Sequence, residues 1–224
     1  MLWDGLNEDA YQGTRRRASL AALVGVNLLP LLGVLLLDWD VSALVLLYWS
    51  ENLVIGFYTL VKMFIQSPLG GLASGAFFLI HYGGFCAVHG VFIMALLVDG
   101  DCEPFPGDPW PLVLVFPQLL FNVAGQVFAY ASTEWMVTFF AMFISHGLSF
   151  AMNFLWGPER HEVTVKSLMG APYGRIVVLH VAIIFGSFAV MALGQPVFML
   201  MILVLLKLAM DVGLHLRQHR KNSP

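Results

Sequence analysis

Apolar residues fill long continuous stretches of the chain, and short polar segments separate these stretches. Each stretch approaches the ~20 residues that an α-helix needs to cross the hydrocarbon core of a bilayer. The pattern predicts an all-α bundle of transmembrane helices, with candidate spans at residues 18–37, 42–64, 74–98, 110–130, 133–156, 175–194 and 197–216.

The stretch at 110–130 gives the weakest signal for a span. It opens with Trp110 and Pro111, and it contains further residues that interrupt an apolar helix, namely Pro117, Gln118, Asn122 and Gln126. Irregular backbone is tolerated at membrane depth only where protein or water covers it. This segment is therefore predicted to be a full span, a broken span or a re-entrant segment.

The composition excludes several classes of protein. Hydrophobic residues make up 59% of the 224 residues and charged residues 11%, whereas a soluble domain is nearer ~45–50% apolar and ~25% charged. The length leaves room for about seven spans at most, which excludes a large transporter and a folded extramembrane domain. The net charge of −3 provides no basic face for nucleic acid. The two cysteines, Cys86 and Cys102, form no CxxC pair or disulfide framework.

The positions of Lys and Arg predict the topology, because these residues accumulate in cytoplasmic loops. Lys207 lies inside a span, and the other ten of the 11 basic residues lie in loops or near span ends. All ten fall on the cytoplasmic side if 110–130 does not cross and both termini are cytoplasmic. We therefore prefer six full spans with the 99–110 loop outside, and seven spans as the alternative.

The whole chain, 1–224, is predicted to be one domain with a short N-terminal segment at 1–17 and a basic tail at 217–224. Residues 18–37 lack a small-residue cleavage site and are interpreted as a retained span rather than a signal peptide.

Ionisable and strongly polar side chains inside the spans are the most informative feature. A charged side chain at mid-bilayer costs ~2.5–3.5 kcal/mol on insertion scales, so such residues are expected to face the bundle interior and to have partners. They form helical stripes that predict a polar core: His146 with Ser149 and Asn153, Lys207 with Asp211 and His215, and Gln118 with Asn122 and Gln126. Glu51 and Lys207 are predicted to form an intramembrane ion pair.

Depth along the spans predicts which histidines meet. With six spans, His81, His180 and Asp211 lie at a similar depth, close to His146 and Glu51; with seven spans, His180 would meet His89 instead. Neutral imidazole is a common ligand of Zn²⁺, and three histidines with a carboxylate or water form a known catalytic pattern. The six-span arrangement predicts a divalent metal, with zinc as first candidate, bound by His81, His146, His180 and His215. Asp211 would be a further ligand or orient His215, and Glu51 would be a general base.

Packing roles for these histidines stay open, because a single intramembrane His is more often a hydrogen-bonded core residue than a ligand. The chain has no HExxH motif, and His161 and His219 are interpreted as loop residues without a site. A single b-type haem at His146 is a further alternative.

Polar and aromatic motifs spread from about residue 42 to 219 resemble an uncharacterised bacterial family of multi-pass membrane proteins, known only as a domain of unknown function. The resemblance lies in Tyr48-Trp49-Ser50-Glu51-Asn52, His81-Tyr82-Gly83-Gly84-Phe85, Val88-His89-Gly90, Ser145-His146, Asn153-Phe154, Pro172-Tyr173-Gly174-Arg175-Ile176, Leu179-His180 and the Lys207, Asp211, His215 series. It implies a helical membrane fold in a bacterial inner membrane and brings no activity or cofactor.

Three functions remain as hypotheses. The first is metal-assisted hydrolysis of a lipophilic, membrane-soluble small molecule, because a bound metal lowers the pKa of its water toward ~7. The second is a proton-coupled carrier or channel for a small solute, in which Glu51, the histidines, Lys207 and Asp211 form a titratable path. The third is an accessory subunit, in which the polar residues only hold helices together. The lipid bilayer is the expected partner in each case, and the oligomeric state is left open.

Overall fold

The computed structural model describes residue 28, residues 30–98 and residues 102–221, with side chains described as far as residue 213. Within these residues the protein is all-α, as predicted, and contains no β-strand. Residues 30–37 are helical, Leu112–Leu114 form a 3₁₀ turn and Phe150–Leu155 a π-helical turn. The α-helices that follow residue 40 in the described chain are α1 (Val41–Gln66), α2 (Pro68–Leu97), α3 (Val115–Tyr130), α4 (Thr133–Ser149), α5 (Glu159–Glu162), α6 (Val165–Gly170), α7 (Tyr173–Leu193) and α8 (Val197–Lys221).

Several of these helices suit a bilayer. In the described chain, five segments are long and apolar enough to cross a membrane: Val41–Gln66, Pro68–Leu97, Leu112–Tyr130, Thr133–Leu155 and Val165–Leu193. The prediction of a helical membrane protein is confirmed at this level. Most of the predicted span at 18–37 lies outside the described residues, as do residues 1–17 and the end of the basic tail.

Ser67 alone joins α1 to α2 and sets up a tight hairpin. Its Oγ accepts a hydrogen bond from the N–H of Gly70, and Pro68 follows it at the first position of α2, where a fixed φ favours a helix. Gly71 lets the two helices approach closely, because a Cβ there would lie 2.5 Å from the carbonyl oxygen of Met63. The helix therefore starts before the apolar stretch that begins at residue 74.

Contacts at the two ends of the bundle give the direction of each helix. At the first end, which we name the Ser42 end, Ser42 Oγ donates to the carbonyl of Leu97, and Trp135 Nε1 donates to that of Ala43. The start of α1, the end of α2 and the start of α4 therefore lie together. At the opposite, Gln66 end, Gln66 Nε2 donates to the carbonyl of Val163.

Val98 lies at the Ser42 end, next to Leu97, and residues 102–132 end there too, where α4 begins. The helix α3 runs parallel to α2, because Gly84 faces Phe116 and Gly90 faces Val123. The segment before α3 runs antiparallel to it, as three side chains of α3 bond to successively earlier backbone groups: Gln118 to Asp108 and Trp110, Asn122 to Pro104, and Gln126 to Glu103. In the described chain, α2 and α3 therefore run toward the same end of the bundle, and the segment before α3 runs beside it in the opposite direction.

These contacts correct the interpretation of the Gln118, Asn122 and Gln126 stripe. The stripe was expected to join a polar core, but it binds the backbone of the preceding segment. Peptide groups without partners are costly in lipid, so the amide side chains supply the hydrogen bonds that the irregular backbone lacks.

Trp49 lies at the centre of the core. Its ring is fully buried, and its Nε1 donates to the carbonyl of Cys86 at 2.7 Å, so its polar group is satisfied within α2. Gly90 makes room for this ring, since a Cβ at Gly90 would lie 2.7 Å from Cζ2 of Trp49. The side of α1 that carries Trp49 thus packs on α2 and fixes which neighbouring residues face the other helices.

Candidate functional site

Glu51 lies at the centre of a cluster of charged side chains contributed by four helices. Its Oε1 accepts a hydrogen bond from Arg175 Nη1 of α7 at 2.7 Å, and its Oε2 accepts one from Lys207 Nζ of α8 at 3.2 Å. His146 of α4 places its Nε2 3.9 Å from Oε1. One carboxylate therefore faces two cations and an imidazole, and we name these four residues the Glu51 cluster.

Burial explains why the carboxylate needs these partners. The Glu51 side chain is 18% exposed and the Lys207 side chain 21% exposed, so little solvent reaches either charge to hydrate it. An unpaired charge in such surroundings costs several kcal/mol, whereas paired and hydrogen-bonded charges are tolerated. The predicted ion pair between Glu51 and Lys207 is formed in the structure.

Arg175 is the member of the cluster that the sequence interpretation missed. It was counted as a loop cation next to the membrane, but α7 begins at Tyr173, so Arg175 lies in the first turn of this helix. A cation is unfavourable at that position, because the N-terminal end of a helix carries partial positive charge. This unfavourable placement was a sequence signal that the side chain had a carboxylate partner elsewhere.

Two further polar side chains of α1 adjoin the cluster. The ammonium of Lys207 lies 4.6 Å from the ring centroid of Tyr48, a cation–π contact. Asp211, one turn after Lys207, is close enough to Tyr48 to act on it electrostatically. The side-chain oxygen Oδ1 of Asn52 is buried and has no hydrogen-bond partner in the described chain.

A small cavity opens between these groups. It has a volume of about 30 Å³ and is lined by polar residues of the cluster and by apolar residues of α7 and α8, namely Tyr48, Glu51, Asn52, Arg175, Val178, Leu179, Leu203, Lys207 and Met210. This volume is sufficient for a small polar occupant such as a water molecule. The orphaned Asn52 oxygen gives such a small polar occupant a hydrogen-bond acceptor.

The cluster lies where the described helices pack least closely. The helix α4 packs against α1, and α7 packs against α8, but α4 makes no extensive contact with α7 or α8 in the described chain. The side chain of His146 is 31% exposed and that of Arg175 is 37% exposed. Glu51 therefore lies between α4 on one side and α7 and α8 on the other, and we name this gap between the helices the cleft.

The remaining histidines of the predicted metal set lie in different surroundings. His180 Nδ1 lies 2.8 Å from His89 Nε2, and His81 Nδ1 lies 2.8 Å from the hydroxyl of Tyr173. His81 and His180 line one cavity, but His146 lies in the cleft at Glu51. The structure therefore does not bring the three expected ligands to one point.

The pairing of His89 with His180 was expected only if 110–130 crossed the membrane. It forms although residues 102–132 end at the Ser42 end, as α2 does. The expectation failed because depths taken from apolar stretches assumed that every span was centred on one plane. The helix α7 begins level with the middle of α2, where Tyr173 contacts His81, so His180, seven residues further along, lies level with His89.

The described residues also contain no group of three or more His, Cys, Asp or Glu side chains placed to hold a metal ion. His215 and His219 lie among residues whose side chains are outside the described set, so the role expected for His215 stays a prediction. Asn153 of the π-helical turn donates its Nδ2–H to Ser149 Oγ at the end of α4, and both residues are exposed, so only His146 of that stripe contacts the cluster.

Another buried ion pair provides a useful contrast. Lys62 Nζ of α1 lies 2.5 Å from Glu159 Oε1 of α5, near the Gln66 end. The side chains are 19% and 31% exposed, which is similar to the Glu51 cluster. This pair joins one cation to one carboxylate, whereas Glu51 joins two cations.

Residues 10–224 match the Family of unknown function (DUF6498). The chain belongs to this family. The match includes every residue of the Glu51 cluster and nearly the whole length of the chain. No curated protein and no solved structure matches the chain. The predicted resemblance to an uncharacterised family is confirmed, and any function must be argued from the site itself.

Proposed function

We propose that the protein is a proton-coupled membrane carrier for a small anionic solute, with Glu51 as the group that binds the proton. The observation that carries this proposal is the contact of one carboxylate with two cations from two other helices, Arg175 and Lys207. The described residues favour a carrier over metal-assisted hydrolysis because His146 lies apart from His81 and His180.

Protonation of Glu51 would change the charge of the cluster by one unit at a site of low dielectric. A neutral Glu51 would leave Arg175 and Lys207 without their shared partner, and two unpaired cations are costly there. An anion that enters the cleft would replace the lost carboxylate charge. Proton binding and anion binding would thus favour each other, which is the coupling that a symporter requires.

The cleft supports such movement. Arg175 lies on α7 and Lys207 on α8, and these helices pack on each other more closely than on α1. Protonation of Glu51 removes the ion pairs that join this helix pair to α1, so it would free α7 and α8 to shift as a unit. His146, 3.9 Å from Glu51 on the other side of the cleft, is placed to pass a proton.

We further propose six full crossings in a bacterial inner membrane, with both termini in the cytoplasm. The hydrogen bonds that hold the segment before α3 against that helix support a re-entrant segment rather than a crossing. With this topology the Gln66 end and the basic residues Arg160 and Lys166 lie on the cytoplasmic side, as the distribution of positive charge favours.

Proton flux in liposomes tests the carrier. The purified full chain would be reconstituted with the pH-sensitive dye pyranine inside, and chloride, phosphate or succinate would be added outside. We expect one of these anions to acidify the interior in the wild type and Glu51→Gln to abolish this acidification. The Glu159→Gln variant is the matched control, since it removes the carboxylate of a similarly buried ion pair outside the cluster.

Two results would overturn the proposal. The first is anion-driven acidification that is as fast in Glu51→Gln as in Glu159→Gln. The second is stoichiometric zinc in the purified wild type that falls in both His146→Ala and His180→Ala, because this result would restore the metal site and its hydrolytic function.

A further inference from the structure

A second cluster of polar groups surrounds a larger cavity between α2, α3 and α7. The cavity has a volume of about 350 Å³, at the lower end of the ~300–1,000 Å³ typical of small-molecule sites. Aromatic rings and imidazoles dominate its lining, chiefly Phe77, His81, Phe85, His89, Phe116 and His180. None of these residues belongs to the Glu51 cluster.

The cavity opens at the surface of apolar helices. Phe77 is 54% exposed, Phe85 is 41% exposed and Val88 is 39% exposed, and all three lie well inside the apolar helix α2. Surface residues at this depth face lipid rather than water. A ligand would therefore enter sideways from the bilayer, and it must be soluble in lipid.

The contact between His89 and His180 indicates which ring nitrogen of each histidine carries a proton. His89 is 2% exposed, and its Nδ1 is buried without a hydrogen-bond partner. Because an unpaired buried N–H is rarer than an unpaired buried acceptor, we assign Nδ1 of His89 as the unprotonated nitrogen, and with this assignment Nε2 of His89 donates to Nδ1 of His180. His180 then carries its own proton on Nε2, and it lines the cavity as a donor.

The contact of His81 with Tyr173 likewise indicates that its proton is on Nε2. Its Nδ1 lies 2.8 Å from the hydroxyl of Tyr173, and a phenol is a good donor to an imidazole nitrogen. We assign the phenol as the donor, which puts the proton of His81 on Nε2. Within the described part of the chain, neither Nε2 of His81 nor Nε2 of His180 has a hydrogen-bond partner.

The ring of Phe85 lies close to all three histidines of this cavity. Its ring centroid lies 5.2 Å from that of His81, 6.2 Å from that of His89 and 6.4 Å from that of His180. On the other side, Phe77 stacks on His81 with an interplanar angle of 13°. A flat ring that binds here would meet aromatic faces and two N–H donors.

We propose that this cavity binds an uncharged, membrane-soluble ligand whose ring carries two oxygen acceptors, of the quinone class. The two donors, His81 and His180, match two carbonyl oxygens, and the aromatic lining matches the ring between them. A long alkyl or isoprenoid tail would extend into the bilayer from the open side. This site is independent of the proposed carrier, because its residues are different.

A neighbouring cavity provides an internal control for purely apolar binding. It has a volume of about 400 Å³ and lies on another face of α2, and its lining combines aliphatic and aromatic side chains, among them Leu53, Phe57, Phe78, Tyr82, Leu120 and Ala124. It contains no histidine in the described chain. A ligand attracted only by apolar surface would occupy both cavities, whereas a quinone would prefer the histidine cavity.

Saturable binding of tritiated decylubiquinone to the purified full chain, measured by scintillation proximity, tests the proposal. We expect His81→Phe and His180→Phe each to weaken binding at least tenfold, because each removes one donor. His161→Phe and Ala124→Leu should leave binding unchanged, since the first alters an exposed histidine elsewhere and the second narrows the apolar cavity. Size-exclusion profiles would show that each variant is folded.

Competition on the wild type provides a second test that does not depend on the variants. Decylbenzene has a similar size and tail but no oxygen atoms, so we expect it to displace the quinone poorly. Equal competition by decylbenzene, an absence of saturable binding, or unchanged affinity in both folded histidine variants would overturn the proposal.

Discussion

Arg175 Nη1 lies 2.7 Å from Oε1 of Glu51, although 124 positions separate the two residues in the chain. The contact gives Glu51 a second cation in addition to Lys207, which bonds to the other carboxylate oxygen. If either cation is removed, the carboxylate therefore still has the other cation as a partner. The stability of the protein should depend on the two cations together rather than on either one.

The first prediction concerns this shared dependence. Lys207→Met alone should lower the free energy of unfolding by about 1 kcal/mol, because Arg175 still pairs with Glu51. Lys207→Met with Arg175→Gln should lower it by roughly 3–5 kcal/mol, since the carboxylate is then unpaired in low dielectric. Reversible unfolding in mixed detergent micelles would measure these values.

Removal of the carboxylate provides the control for that prediction. Adding Glu51→Gln to the two cation substitutions should recover much of the loss, because no buried charge is then unpaired. Strictly additive losses across the three substitutions would show that the charges do not act as one cluster.

The ion pair of Glu51 with Lys207 could be predicted from sequence because both residues fall near the middle of apolar stretches, where a charge needs a partner. The length and hydropathy of the apolar stretches were equally sufficient to locate the five membrane-length helices of the described chain. The membrane environment makes these signals strong, since every charged residue inside a span is unusual.

Other features could not be derived from periodicity. Depths measured from apolar stretches failed for His89 and His180, because α7 begins level with the middle of α2, where Tyr173 contacts His81, so the two helices are not centred on one plane. The polar stripe of α3 has the same spacing whether it faces other helices or a returning loop. Only the three-dimensional path of residues 102–111 decides between them.

The second prediction concerns the anchoring of that loop. Gln118 is 7% exposed, accepts a hydrogen bond from the N–H of Trp110 and donates one to the carbonyl of Asp108. Gln118→Leu should lower the free energy of unfolding by about 1–3 kcal/mol, because it leaves two backbone groups without partners. Faster hydrogen exchange at the Trp110 amide would identify the lost contact.

Phe121 supplies the matched control on the same helix. Its side chain is 61% exposed, so Phe121→Leu should change neither stability nor exchange at Trp110 appreciably. Equal effects of the two substitutions would show that α3 tolerates any change poorly and that Gln118 has no special role.

The third prediction concerns the hairpin of α1 and α2. Gly71→Ala should destabilise the protein by about 1–3 kcal/mol, because the new Cβ would meet the backbone of Met63, which cannot move aside as a side chain can. Gly125→Ala should instead be neutral or stabilising by up to ~1 kcal/mol, since nothing lies within 4 Å of its Cβ position and alanine favours a helix. Thermal unfolding of the two variants would compare them, and equal midpoints would contradict the close packing at Gly71.

The last prediction tests the re-entrant path of residues 98–132. Single cysteines at Glu103, Thr133 and Lys166, all exposed positions, would be introduced into a chain with Cys86→Ala and Cys102→Ala. If the segment returns to the Ser42 end, a membrane-impermeant maleimide added to intact cells should label Glu103→Cys and Thr133→Cys alike, because both positions then lie outside. It should label Lys166→Cys only after the membrane is opened. A full crossing of residues 112–130 would place Glu103 and Thr133 on opposite sides, so labelling of only one of the two in intact cells would establish seven spans and contradict the six-span topology.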